Sequence, residues 1–141
     1  MNFIEIWVTC PSTDVAERIA DKLVGSRLAA CVNILGKVRS VYRWQGRIER
    51  ESEVPLVIKT RAAFFDAVAA QVATNHPYDT PAIVAVPVLQ ANKAYSDWLI
   101  DCTEPDDQSP AANVLCSVAL ERNARTGTRR RSRDNHRRHG R

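Results

Sequence analysis

Alternating apolar positions open the chain. Ile4, Ile6, Val8 and Cys10 share one side of an extended segment, and Phe3, Glu5, Trp7 and Thr9 share the other. That period of two predicts a strand from Phe3 to Cys10. Pro11 ends it, and Ser12 is placed to cap a helix, since its hydroxyl can accept an N–H that the first turn leaves unpaired. Val15, Ile19, Ala20 and Leu23 then recur at helical spacing, with Gly25 as the expected stop. Leu28 to Leu35 reads as a second strand, Gly36 as a bulge or bend, and Val38 as its resumption. Val41 to Trp44 runs into Gln45-Gly46, a tight hairpin turn. Glu49, Glu51 and Glu53 alternate with Arg50 and Ser52, the pattern of a solvated ribbon. Val54 to Thr60 is the next strand, with Pro55 placing part of it at an edge. Thr60 is expected to cap a helix from Arg61 to about Asn75, with Phe65, Val68, Ala69 and Val72 as its apolar stripe. His76-Pro77 stops that helix. Ile83 to Val88 is a short apolar strand, and Asn92 is expected to cap a last helix, Lys93 to about Cys102, with Tyr95, Trp98 and Leu99 inward.

The order β-α-β, hairpin, α-β-α predicts an α+β fold, a ferredoxin-like split β-α-β sandwich. Its helices cover one face of an antiparallel sheet. Phe3 and Trp7 then fall on a face with no helix of its own. Large aromatics on a bare sheet face predict a partner surface, and hence a homo-oligomer.

Composition changes after Glu104. The 141 residues carry a net charge of +4, but residues 1–104 sum to −1 and residues 105–141 to +5. The basic excess therefore belongs to an extension and not to the folded part. Two domains are expected: a folded 1–104, and a disordered Arg-rich 105–141 that begins with the linker Pro105 to Pro110 and includes a short apolar island, Val114 to Leu120. Nucleic-acid binding is not expected of the folded part; the extension is where it would reside. No apolar run approaches the ~20 residues of a membrane span. The longest, Ile83 to Leu89, is interrupted by Pro87. No secretory signal is recognisable, so the cytoplasm is the expected compartment. Cys10, Cys31, Cys102 and Cys116 form no Cys-x-x-Cys pair, and buried free thiols are expected rather than disulfides.

Catalytic signatures are missing from the sequence. His76 is the one histidine before residue 105, and no nucleophile elbow or phosphate-binding glycine loop occurs. A non-enzymatic protein is expected. His76-Pro77-Tyr78-Asp79-Thr80-Pro81 is the most unusual stretch. One reading is a rigid connection whose polar groups serve the local backbone. The other is a metal site that borrows Cys10 or Cys31, since imidazole with thiolate suits copper or zinc. Tyr42-Arg43-Trp44-Gln45-Gly46-Arg47 suits either base stacking or a hairpin arm that grips a sister subunit.

Several stretches together resemble the CutA divalent-cation tolerance family. They are Val8-Thr9-Cys10-Pro11, Arg27 to Asn33, Ser40 to Ile48, Ile58-Lys59-Thr60, His76-Pro77-Tyr78 with Pro81 and Ile83, and Tyr95 with Trp98-Leu99. The resemblance covers about residues 3–102 and implies a ferredoxin-like fold, a homotrimer, and binding of Cu(II) or another divalent metal with a role in metal tolerance. It carries metal positions onto Cys10, Cys31 and His76. The Glu that the family usually places after the second proline is Ala82 here. The resemblance implies Phe3, Trp7, Tyr42 and Trp44 at the trimer interface. The family trimer is similar to that of PII-type signalling proteins. That likeness implies an alternative, a small-molecule sensor with a subunit cleft near Tyr42, Trp44, Lys59 and Tyr78.

Overall fold

The computed structural model describes residues 2–105. The expected linker, the apolar island and the Arg-rich extension lie outside the described residues, as does Cys116.

Strand β1 (Phe3–Cys10) leads into helix α1 (Thr13–Gly25), capped by Ser12, whose Oγ accepts the Val15 N–H at 3.3 Å. Strands β2 (Cys31–Ile34) and β3 (Val38–Trp44) follow, then the 15-residue β4 (Arg47–Arg61). A 3-10 turn, Ala62–Phe64, precedes helix α2 (Phe65–Asn75). Strand β5 (Ile83–Val88) and helix α3 (Lys93–Cys102) complete the order. The sheet runs β2-β4-β1-β5, every pair antiparallel, with β3 on β4 alone. This is the expected α+β architecture.

One face carries the main core. Ile6 lies opposite Ile58 and Val8 opposite Leu56, and these side chains cluster with Ile19 and Leu23 of α1 and Val68 and Val72 of α2. Burying a side chain of this size contributes about 1.5–3 kcal/mol. The opposite face has Trp7, Val84 and Val86 exposed.

Helix α3 is tied to the end of that second face. Arg61, the register partner of Phe3, donates to the Ile100 carbonyl at 2.7 Å, to Thr103 Oγ1 at 2.6 Å and to Glu104 at 3.0 Å. Leu99 is buried but stands outside the main cluster. Trp98, expected inward, is 43% exposed, because Leu99 takes the inward position.

Strands β2 and β3 form one interrupted partner for β4. Ile34 faces Leu56 and Val38 faces Glu53, so four steps along one strand match three along the other. The extra residue falls around Gly36, a bulge. Pro55 was expected at an edge, yet β4 is central. Its missing N–H falls at this slip in the ladder, and its carbonyl accepts the Leu35 N–H at 3.0 Å. Beyond Val54, the last partner of β1, strands β3 and β4 continue alone as a two-stranded arm. Gln45 and Gly46 turn its tip with φ of 49° and 77°, the pair of left-handed residues a two-residue hairpin demands.

Other expectations shift locally. Thr60 does not cap a helix. It is fully buried in β4, and its Oγ1 donates to the Leu28 carbonyl at 2.6 Å. Helix α1 does end at Gly25 as expected, and the left-handed turn that follows falls on Arg27, whose φ is 61°. Asn92 occupies the N-cap of α3 without a side-chain bond.

Candidate functional site

The loop after α2 is fixed by its histidine. His76 is buried, and its Nε2 lies 2.8 Å from the Thr9 carbonyl. A carbonyl only accepts, so Nε2 carries the proton and donates it. Nδ1 then accepts the Tyr78 N–H at 3.2 Å, and the two rings stand 4.8 Å apart. Both ring nitrogens are used in holding the loop to the end of β1.

This clip sets one wall of a cleft of about 590 Å³, lined by Thr9, Ser40, Tyr42, Trp44, Glu53, Pro77, Tyr78, Asp79, Thr80 and Ala82. The other wall is the arm. Alternation puts Ser40, Tyr42, Trp44, Glu49, Glu51 and Glu53 on one face of the arm, with Arg47 at the tip. Arg39, Val41, Arg43, Ile48 and Arg50 fall on the other. The cleft is therefore aromatic and acidic, while the outer face is basic and apolar. Glu53 is buried at 6% exposure. Among the described residues, no hydrogen bond or ion pair engages its carboxylate. Partial burial, then the charges of Glu51, Glu53 and Glu49, raise the Tyr42 phenol. Burial and then Glu53 raise that of Tyr78.

The three candidate metal ligands are not gathered within a protomer. Cys10 ends β1 on the core face, fully buried. Burial, and secondarily Glu53, push its thiol up to about 11, so it is neutral at physiological pH. Cys31 is partly exposed on the opposite face, in a row with Lys59 and Glu5. Lys59 and Val54, the β4 partners of Cys31 and Cys10, are about 16 Å apart along the strand. Among the described residues, no three His, Cys, Asp or Glu side chains converge as a ligand set. A ligand set that joins both thiols to the imidazole does not fit a single protomer. Ala82 lines the cleft, so the position where the family resemblance implies a carboxylate offers none. Cys10, Cys31 and Cys102 are free thiols.

Of the four residues expected around a small-molecule cleft, three meet. Tyr42, Trp44 and Tyr78 line it. Lys59 is six residues up β4 from Glu53, about 20 Å away, on the row between Cys31 and Glu5. Of the expected interface aromatics, Trp7, Tyr42 and Trp44 are 42%, 38% and 50% exposed, and Phe3 is half-buried. Glu53, which pattern reading passed over as solvated, is a buried residue that lines the cleft. The signal for it was its parity with Pro55 and Val57, which continues a strand buried on both faces.

A family model described as CutA1 divalent ion tolerance protein matches residues 4–102. The divalent-cation tolerance protein CutA of Thermus thermophilus is 44% identical over 98 residues, which is 70% of this chain and 95% of that protein. Protein CutA 1, chloroplastic, of Oryza sativa is 39% identical over 100 residues, 71% of this chain and 56% of its own length. The chain thus spans little more than half of that relative. Among solved structures, the periplasmic divalent cation tolerance protein CutA from Archaeoglobus fulgidus is similar at a TM-score of 0.71 and 39% identity, over 72% of this chain and 99% of that one. Those names place one relative in the chloroplast and one in the periplasm. No helix among the described residues is long and apolar enough to cross a membrane.

Proposed function

The chain belongs to the CutA1 divalent ion tolerance family, and on that premise we propose that it is a self-assembling, non-catalytic protein of the divalent-ion response. It assembles as a homotrimer and takes up copper or another divalent cation. The observation that carries this reading is the arm. Two strands standing beyond the sheet are marginal in water on their own. Here they also expose Val41 at 58%, Trp44 at 50% and Ile48 at 61%. By register Trp44 shares the open face with Trp7, Val84 and Val86, while Val41 and Ile48 lie on the arm's other face, and apolar surface of that extent marks a protein interface.

Copper uptake then falls to groups that a partner or solvent can reach. Cys31 is the accessible thiol of the candidate set, whereas Cys10 is buried and His76 is committed to Thr9 and Tyr78. Sedimentation equilibrium of the full chain, followed by copper titration of wild type and Cys31→Ser, tests both parts. A monomer at micromolar concentration would remove the assembly, and an unchanged copper affinity would remove Cys31.

A second reading has its own support. Tyr42, Trp44 and Tyr78 converge on a cleft of about 590 Å³, within the usual size of small-molecule sites. A small ligand bound there makes the assembly a sensor. Ligand-dependent thermal shifts independent of metal are the expected sign.

A further inference from the structure

We propose that the cleft between the arm and the 77–82 loop receives a small alkylated ammonium ion, held by the Glu53 carboxylate and the rings of Tyr42, Trp44 and Tyr78. The proposal rests on the small-molecule reading of the cleft and names the ligand class.

Glu53 is the starting point. Glu53 is 6% exposed as a residue, and what its carboxylate keeps of solvent contact is at the cleft it lines. Yet it has no hydrogen-bond or ion-pair partner among the described residues. Its lining of the cleft leaves its free side toward that space. The nearby cations of the arm do not serve it. Arg39, Arg43 and Arg50 lie on the outer face by alternation, and Arg47 sits opposite Trp44 at the far tip.

A cation of the ligand fits where a protein cation is missing. Three aromatic rings and a carboxylate attract a weakly hydrated organic cation, because ring faces offer negative potential while stripping little bound water from the ligand. A divalent metal is a poorer match. It demands several hard or nitrogen and sulfur donors, and no three His, Cys, Asp or Glu side chains converge among the described residues. Small Ala82 keeps the cleft floor open, and Ser40, Thr9 and Thr80 line the rest.

The test is calorimetric titration of the full-length protein with tetramethylammonium and with neopentyl alcohol, an uncharged molecule of similar size. Wild type is expected to bind tetramethylammonium saturably and at least roughly tenfold more tightly than the alcohol. Glu53→Gln, close to isosteric, should abolish that preference, and Tyr78→Leu, at a cleft residue outside the assembly surface, should weaken the ammonium ion severalfold. Equal affinity of wild type for the two molecules overturns the ligand class while leaving the cleft reading in place. Binding of neither overturns both. If Glu53→Gln proves unfolded by circular dichroism, Tyr78→Leu decides, and undiminished ammonium binding by it overturns the proposal.

Discussion

His76 donates its Nε2 proton to the carbonyl of Thr9 at 2.8 Å, joining the loop after α2 to the last turn of β1's ladder. The bond is largely sheltered, so its loss exposes a carbonyl and a peptide N–H to unpaired burial. His76→Ala should destabilise the fold by about 1–3 kcal/mol, read from urea denaturation. Its copper affinity should match wild type, because the ring serves the backbone. A tenfold loss of copper affinity with unchanged stability would reverse that assignment.

Arg61 is the corresponding clamp for α3. It bonds the Ile100 carbonyl, Thr103 Oγ1 and the Glu104 carboxylate with its side chain mostly buried. Arg61→Met should lower stability by about 2–3 kcal/mol. Hydrogen exchange should show protection falling first along Lys93–Cys102. Uniform loss across all elements would contradict a local clamp.

Alkaline pH should weaken the fold through Cys10. Burial and the neighbouring Glu53 raise its thiol from 9.0 to about 11. Below pH 9 the thiol is neutral in both folded and unfolded chains, and its contribution is fully present. Between pH 9 and about 11 the unfolded thiol ionises and the buried one does not, so stability falls by about 2–3 kcal/mol. Tyr42, Tyr78 and Tyr95, all raised, act in the same direction at high pH. The difference between wild type and Cys10→Val isolates the thiol. Parallel pH profiles for the two proteins would count against it.

Copper should distinguish the cysteines. Cys31→Ser is expected to lower copper affinity by at least about tenfold, since losing a direct thiolate should cost no less than losing an outer-shell partner of a ligand. Cys10→Ser should leave it unchanged, since that thiol faces the core. Isothermal titration of both variants checks this, and a reversed order would place the site on the core side of the sheet.

Much of the fold could be read from local pattern because the deciding contacts are local. Ser12 meets Val15 three residues on, and Gln45-Gly46 needs only its own left-handed geometry. The open aromatic face followed from the alternation of Phe3 and Trp7 against Ile4 and Ile6. The departures all depend on partners distant in sequence. Thr60 prefers the Leu28 carbonyl, 32 residues away, to a helix cap. Glu53 lines one cleft with Thr9 and the 77–82 loop, a meeting that no alternation of Glu49, Glu51 and Glu53 reveals. Cys10 and Cys31 are similar small thiols on neighbouring motifs, and only the registers to β4 show that they face opposite sides.

Self-assembly through the open face and the arm is the central claim, and sedimentation equilibrium of wild type beside a Trp44→Ser, Ile48→Ser variant tests it most directly. Buried aromatic and branched anchors at interfaces are each worth about 2–4 kcal/mol. Wild type is predicted to sediment at three times the chain mass across the micromolar range. The variant should dissociate while its monomer keeps the helix and strand content of the sheet. A wild-type protein that stays monomeric at those concentrations would contradict the account.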